Sequence, residues 1–130
     1  MATKKRVFIS FDVDHDEGTK EMLAGQAKLP DSPFDFTDAS VKNSLTGDWK
    51  EKVRGRMANI DVVIALCGEH THTATGVAAE VTIAQDKKTP YFLLRAYSDK
   101  TCTKPTSAKS SDKVYDWTWP NLKALIDGRR

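Results

Sequence analysis

Long apolar runs are absent from this chain. The longest uninterrupted one, Val62–Cys67 (VVIALC), falls far short of the roughly 20 residues that a membrane-spanning helix needs. The opening MATKKRVFIS lacks the apolar core of a signal peptide, so the expected location is cytoplasmic, with no membrane partner. Charge of one sign is scarce too: 20 Lys and Arg face 18 Asp and Glu, a net charge of +2, with the two signs interleaved. That balance argues against a nucleic-acid partner. Cysteine is nearly missing. Cys67 and Cys102, far apart in sequence, fit free thiols in a reducing compartment rather than a disulfide framework. Neither standard glycine-rich phosphate loop occurs, which excludes P-loop NTPases and Rossmann dehydrogenases. No internal repeat is present.

What is present is an ordinary globular composition, 39% hydrophobic and 29% charged over 130 residues. That length suits a single domain, 1–130, able to bury a real core. RVFISF (6–11) opens it as a β-rich run, followed by the acidic turn-forming stretch FDVDHDEG. TKEMLAGQAKL predicts a helix weakened by Gly25 and ended by Pro30; PFDFT (33–37) alternates like an edge strand. DWKEKVRGRMANI (48–60) sets Trp49, Val53, Met57 and Ile60 on one helical face, with Asp48 and Glu51 as a capping box. Lys50, Lys52, Arg54 and Arg56 then form that helix's solvated side. DVVIALC (61–67) and PYFLLRAY (90–97) read as strands buried on both faces, with a helix between them. Residues 98–116, rich in Ser, Thr, Lys and Asp, predict a long loop with a short strand near KVYDW. Pro120 suits the first turn of a last helix, PNLKALIDG.

Strands and helices that alternate from end to end predict a parallel sheet with helices on both faces. At this length the simplest arrangement is a flavodoxin-like α/β three-layer sandwich, five strands in the order 2-1-3-4-5. Ligands of such sheets lie beyond the carboxyl ends of the strands, where the order reverses. The flanking loops there are SFDVDHDE (10–17) and CGEHTHTATG (67–76). The helix leaving the second loop, TGVAAEVTIAQ (75–85), sets Val77, Val81 and Ala84 on one side at about 100° per residue. Ala79 and Ile83 widen that apolar arc, and Glu80 falls inside it. Two readings stand: the carboxylate snorkels out or pairs with a nearby Lys, or it faces the floor of the crevice. In the second, the helix dipole favours the ionised form while burial opposes it.

Other signals are weaker. Asp12, Asp14, Asp16 and Glu17 read either as a solvated loop or as an acidic pocket. A phosphoreceiver would need an Asp ending the third strand, where this chain has Cys67-Gly68. EHTH offers His70 and His72, one close pair without a matching partner motif, so no metal is expected. Cys67, at the end of a buried strand, reads as packing.

KRVFISFDVDHD, SPFDFTDASV, TGDWKEKVRGRM, VVIALCGEHTHTATGVAAEV and PYFLLRAYSDKTCTKP together resemble the TIR-like proteins of the Thoeris anti-phage defence system, ThsB-like. The resemblance implies a TIR-like, flavodoxin-like fold and an enzyme that cleaves the nicotinamide–ribose bond of NAD. It implies Glu80, on the helix after strand three, as the catalytic carboxylate. NAD is then substrate, and no cofactor is expected. The implied product is a cyclic ADP-ribose-type messenger that signals to a separate effector protein. Activation by a phage-derived trigger and completion of the site by homo-oligomerisation also belong to that picture. Phe11 and Asp12 become candidates for lining the nucleotide pocket, and His70, His72 and Thr73 for touching ribose or phosphate. Two positions depart from the common TIR pattern: Gly76 stands where many TIR enzymes carry Trp, and the loop after strand one lacks Arg-Gly. Two other readings compete. One is a catalytically silent TIR-like module acting by protein–protein binding. The other is a nucleoside deoxyribosyltransferase-like enzyme, which also uses a glutamate at an anomeric carbon.

Overall fold

The continuous apolar runs become the inner strands of one sheet. The computed structural model describes residues 5–12, 17–30, 32, 34–37, 55, 60–97 and 100–127. In chain order these give β1 (Lys5–Ser10), α1 (Glu17–Gln26), β2 (Phe34–Thr37), β3 (Val62–Cys67), α2 (Thr75–Asp86), β4 (Tyr91–Arg95), β5 (Val114–Tyr115) and α3 (Trp119–Ile126). A single 3₁₀ turn, Thr71–Thr73, precedes α2. The strands pair in the order β2-β1-β3-β4-β5, and all four pairings are parallel. β1 and β3 are aligned so that Val7 lies opposite Val62 and Ser10 opposite Ala65.

Side chains alternate across the sheet, as strand geometry requires. Val7 and Ile9 of β1, with Ile64 and Leu66 of β3, face a cluster that takes in Leu23 of α1 and Leu122, Leu125 and Ile126 of α3. Phe8, Val63, Ala65 and Cys67 face the other way, among Val77, Val81, Ile83 and Ala84 of α2. Every residue of β3 is buried because helices cover both of its faces. This is the three-layer, flavodoxin-like arrangement that the alternating pattern predicts.

The helix ends show local chemistry. α1 stops at Gln26, short of Pro30, because Ala27, Lys28 and Leu29 each bond to the carbonyl three residues back and tighten the last turn. α2 ends in a Schellman arrangement. Thr89 N–H reaches Ala84 O, Lys88 N–H reaches Gln85 O, and Lys88 takes the left-handed conformation, φ 57°. α3 starts at Thr118, whose hydroxyl accepts from Asn121 N–H at 3.2 Å, with Pro120 in the first turn. The short strand near KVYDW is β5. Of the helix expected over 48–60, only Gly55, which is helical, and Ile60, beside the Phe8 cluster, fall within the described residues. Its capping box and its row of basic residues lie outside them.

Candidate functional site

Glu80 sits in the second turn of α2, on the arc that the helix turns to the sheet, and is 6% exposed. It does not snorkel out, and no lysine among the described residues meets it. Its Oε1 accepts a hydrogen bond from the hydroxyl of Ser10, 2.7 Å away and 70 residues earlier in the chain. Ser10 is the last residue of β1, on the strand face covered by α2, and its neighbour across the ladder is the small Ala65. The carboxyl therefore lies against the carboxyl ends of β1 and β3, where the strand order reverses. Burial pushes its pKa from an ordinary 4.5 up to about 8, and the Ser10 bond holds it below what burial alone would give. Of the two opposed effects read from the sequence, burial wins.

The loop between β3 and α2 is fixed from inside. Thr71 is buried, and its hydroxyl accepts from Gly68 N–H at 2.7 Å. His70, His72 and Thr73 are exposed on the rim above it. Thr73 Oγ1 donates to His70 O at 2.8 Å, and His72 turns Nδ1 to Thr103 Oγ1 at 3.0 Å. Thr103 belongs to the long 98–116 loop and ties it down. Its N–H donates to Gly68 O at 2.9 Å, and its hydroxyl oxygen accepts from His72 N–H at 3.0 Å. Lys100 and Glu69 add an exposed ion pair at 3.7 Å across the same seam. Further along, Ser107 Oγ donates to Ala78 O at 2.6 Å, and Gln85 Nε2 donates to Ser107 O at 3.0 Å. The Tyr91 hydroxyl donates to Asp112 and accepts from the same Gln85 amide. The long loop is thus bonded along α2 and to the rim of the site.

At the end of β1, Asp12 is buried, and Phe11 belongs to the packed cluster that holds Leu23 and Ala27. Phe11 therefore lies on the α1 side of the sheet, while Ser10 and Glu80 lie on the α2 side. Asp14 and Asp16 lie outside the described residues, as does the side chain of Glu17. Sequence reasoning passed over Lys20, which is 4% exposed with its Nζ 5.8 Å from the centre of the Phe11 ring and 3.1 Å from Glu21 Oε1. The available signal was its spacing from Leu23, Ala24 and Ala27, which sets it on the inward arc of α1. Ser10 was passed over too; its signal was its place two residues after the inward Phe8. Arg95 ends β4 beside Cys67, with its Nε shielded from solvent and no hydrogen-bond partner among the described residues. Asp116 Oδ1, 3.5 Å from that Nε, is an ion-pair neighbour without hydrogen-bond alignment. Among the described residues no group of three or more His, Cys, Asp or Glu is placed to hold a metal ion. No helix among them is long and apolar enough to cross a membrane. A separate cavity of about 200 Å³, lined by Val62, Pro90 and Tyr91, lies at the amino ends of β3 and β4, the opposite end from Glu80.

A parallel 2-1-3-4-5 sheet with an inward glutamate on the helix after its central strand is consistent with a TIR-like fold. The profile of the family described as Thoeris protein ThsB, TIR-like domain, matches residues 8–101, over two thirds of the chain. The chain belongs to that family, a TIR-like domain of the Thoeris type with a role in defence. No curated protein matches it.

Proposed function

We propose that this domain cleaves the nicotinamide–ribose bond of NAD and makes a cyclic ADP-ribose-type messenger for a separate effector protein. The observation that carries the reading is the buried Glu80 carboxyl at the carboxyl ends of β1 and β3, held by Ser10 at 2.7 Å. In the reaction, the C–N glycosidic bond breaks and its electron pair goes to the pyridinium nitrogen, so nicotinamide leaves neutral. The ribose takes on oxocarbenium character, which an adjacent carboxylate stabilises. A nitrogen of the adenine, or a hydroxyl, then attacks the anomeric carbon; a hydroxyl gives up its proton. Cyclisation over hydrolysis requires that water be kept out.

Glu80 must be ionised for this role, yet burial holds its pKa near 8. The substrate supplies a remedy: its pyridinium is a cation, and a cation set against a buried carboxyl lowers that carboxyl's pKa. Asp12 and the rim residues His70, His72 and Thr73 are the groups we assign to the ribose and phosphates, with Phe11 supporting Asp12 from the core. Arg95 is a further cation at the same end of the sheet. Signalling to the effector, a phage-derived activator and self-association complete the proposal.

The test is incubation of the concentrated protein with NAD, with and without infected-cell lysate, reading nicotinamide and nucleotide products by chromatography and mass spectrometry. Glu80→Gln is expected to lower nicotinamide release by a factor of 100 or more, about 3 kcal/mol of transition-state stabilisation. Gly76, in place of the common Trp, favours the second reading, a silent module that works by binding a partner. Absence of turnover in every arm, with the protein folded, would select that reading. Nucleoside cleavage without NAD cleavage would select the deoxyribosyltransferase-like one.

A further inference from the structure

Ser10 has no part in the reaction as written, yet it is fully buried and bonded to the group that does. Its backbone belongs to β1, which is paired on one side with β2 and on the other with β3. The hydroxyl is therefore carried by an inner strand, at a residue paired with Ala65 of β3. Glu80, by contrast, sits at the end of a flexible side chain on α2. A hydroxyl has one proton to give, and here it is given to Oε1. That bond is roughly twice as strong to a carboxylate as to a neutral carboxyl group.

We propose that Ser10 is a positioning residue: its hydroxyl fixes the direction of the Glu80 carboxyl and favours its ionised form, so that Ser10 sets the pH at which Glu80 can act. This rests on the reading of Glu80 as the reacting carboxylate. Among the described residues, the titratable and charged groups on the elements around α2 leave that role to Ser10. Beyond the end of β1, Asp12 lies two residues further along, and at the end of β4 Arg95 has Asp116 3.5 Å from its Nε. On β3, the Cys67 thiol is turned to Ala65 O at 3.7 Å. On the 3₁₀ turn, His72 is exposed and engaged with Thr103. On the docked loop, Ser107 is bonded to Ala78 O and Asp112 to Tyr91. Burial and the Ser10 bond are the two causes of the displaced Glu80 titration.

The experiment titrates Glu80 directly in the full chain, by NMR of isotope-labelled glutamate carboxyls, with the resonance assigned by its loss in Glu80→Gln. Ser10→Ala is expected to raise the Glu80 midpoint by about one pH unit, the size of one hydrogen bond to a charged group. The pH profile of nicotinamide release moves up with it, so the rate at neutral pH falls about tenfold and partly recovers in alkali. Ser10→Thr keeps a hydroxyl and restores the midpoint. Ser10→Cys, close in size but a weak donor, shifts the midpoint in the same direction as Ser10→Ala and serves if the alanine variant does not fold. A midpoint unchanged in both Ser10→Ala and Ser10→Cys overturns the proposal, whatever the activity. A shifted midpoint in a protein that never cleaves NAD upholds the coupling of Ser10 to Glu80 and sinks the NAD reading instead.

Discussion

At the scale of single residues, Glu80 works against the fold that holds it. Its carboxyl titrates near pH 8 when folded and near 4.5 when the chain is open. Between those values the unfolded chain has lost a proton that the native state keeps, so stability falls as pH rises. The contribution is fully present below pH 4.5, is lost progressively, and is gone above about 8. The full span is worth on the order of 4–5 kcal/mol. Glu80→Gln is neutral at every pH and escapes this loss. Urea unfolding at pH 5 and pH 8 is expected to show the variant gaining on the wild type by about 1.4 kcal/mol per pH unit across that window. Equal gaps at the two pH values would mean that Glu80 titrates as an ordinary surface acid. That Glu80 falls within the apolar arc of α2 was legible, because helical periodicity sets it beside Ala84 and Val77; that it faces the crevice rather than snorkelling out was not. Nor was its partner. The parity of Ser10 with Phe8 points to Glu80 only once one knows that β1 lies beside β3 and that α2 covers both.

At the scale of elements, the strands were legible where they were continuously apolar. VVIALC and YFLL have no polar face to misplace, so their burial on both sides followed at once. Local chemistry that depends on one backbone angle was hidden: α2 stops at a left-handed Lys88, where a sequence reader looks for glycine. The docking of the 98–116 loop was hidden for a different reason. Its bonds reach back some 30 residues, to Gly68, His72 and Ala78, and neither periodicity nor turn chemistry encodes them. Thr103 is the centre of that seam. Thr103→Val keeps the shape and the backbone N–H but removes the oxygen that accepts from His72 N–H. The expected effect is about 1 kcal/mol of stability and faster hydrogen exchange at the His72 amide. With NAD, KM should rise more than kcat, since the rim moves and Glu80 does not. Unchanged exchange at His72 would show that the loop is held elsewhere along α2.

At the scale of the whole molecule, one cluster joins the first strand to the last helix. Val7 and Ile9 of β1 share it with Leu122 and Ile126 of α3, and Trp117 and Trp119 pack against its edge. Trp117 Nε1 also donates to Gln26 Oε1 at 2.9 Å, tying the segment before α3 to the end of α1. Parallel pairing makes such closure unavoidable, since each neighbouring strand must be reached through a crossover and the helix it carries. The two ends of the described chain should therefore unfold as one unit. Leu122, with no exposed surface, is the residue to probe. Leu122→Ala is expected to cost about 3 kcal/mol, the usual penalty for emptying a buried leucine site. The loss should appear equally in tryptophan fluorescence and in far-UV circular dichroism followed through the same urea titration. If the fluorescence transition moved to lower urea while the dichroism transition stayed put, α3 would be a separately melting flap. The cluster drawn by the structure would then not be one cooperative core, and the carboxyl ends of β1 and β3 would owe their rigidity to the α2 side of the sheet alone.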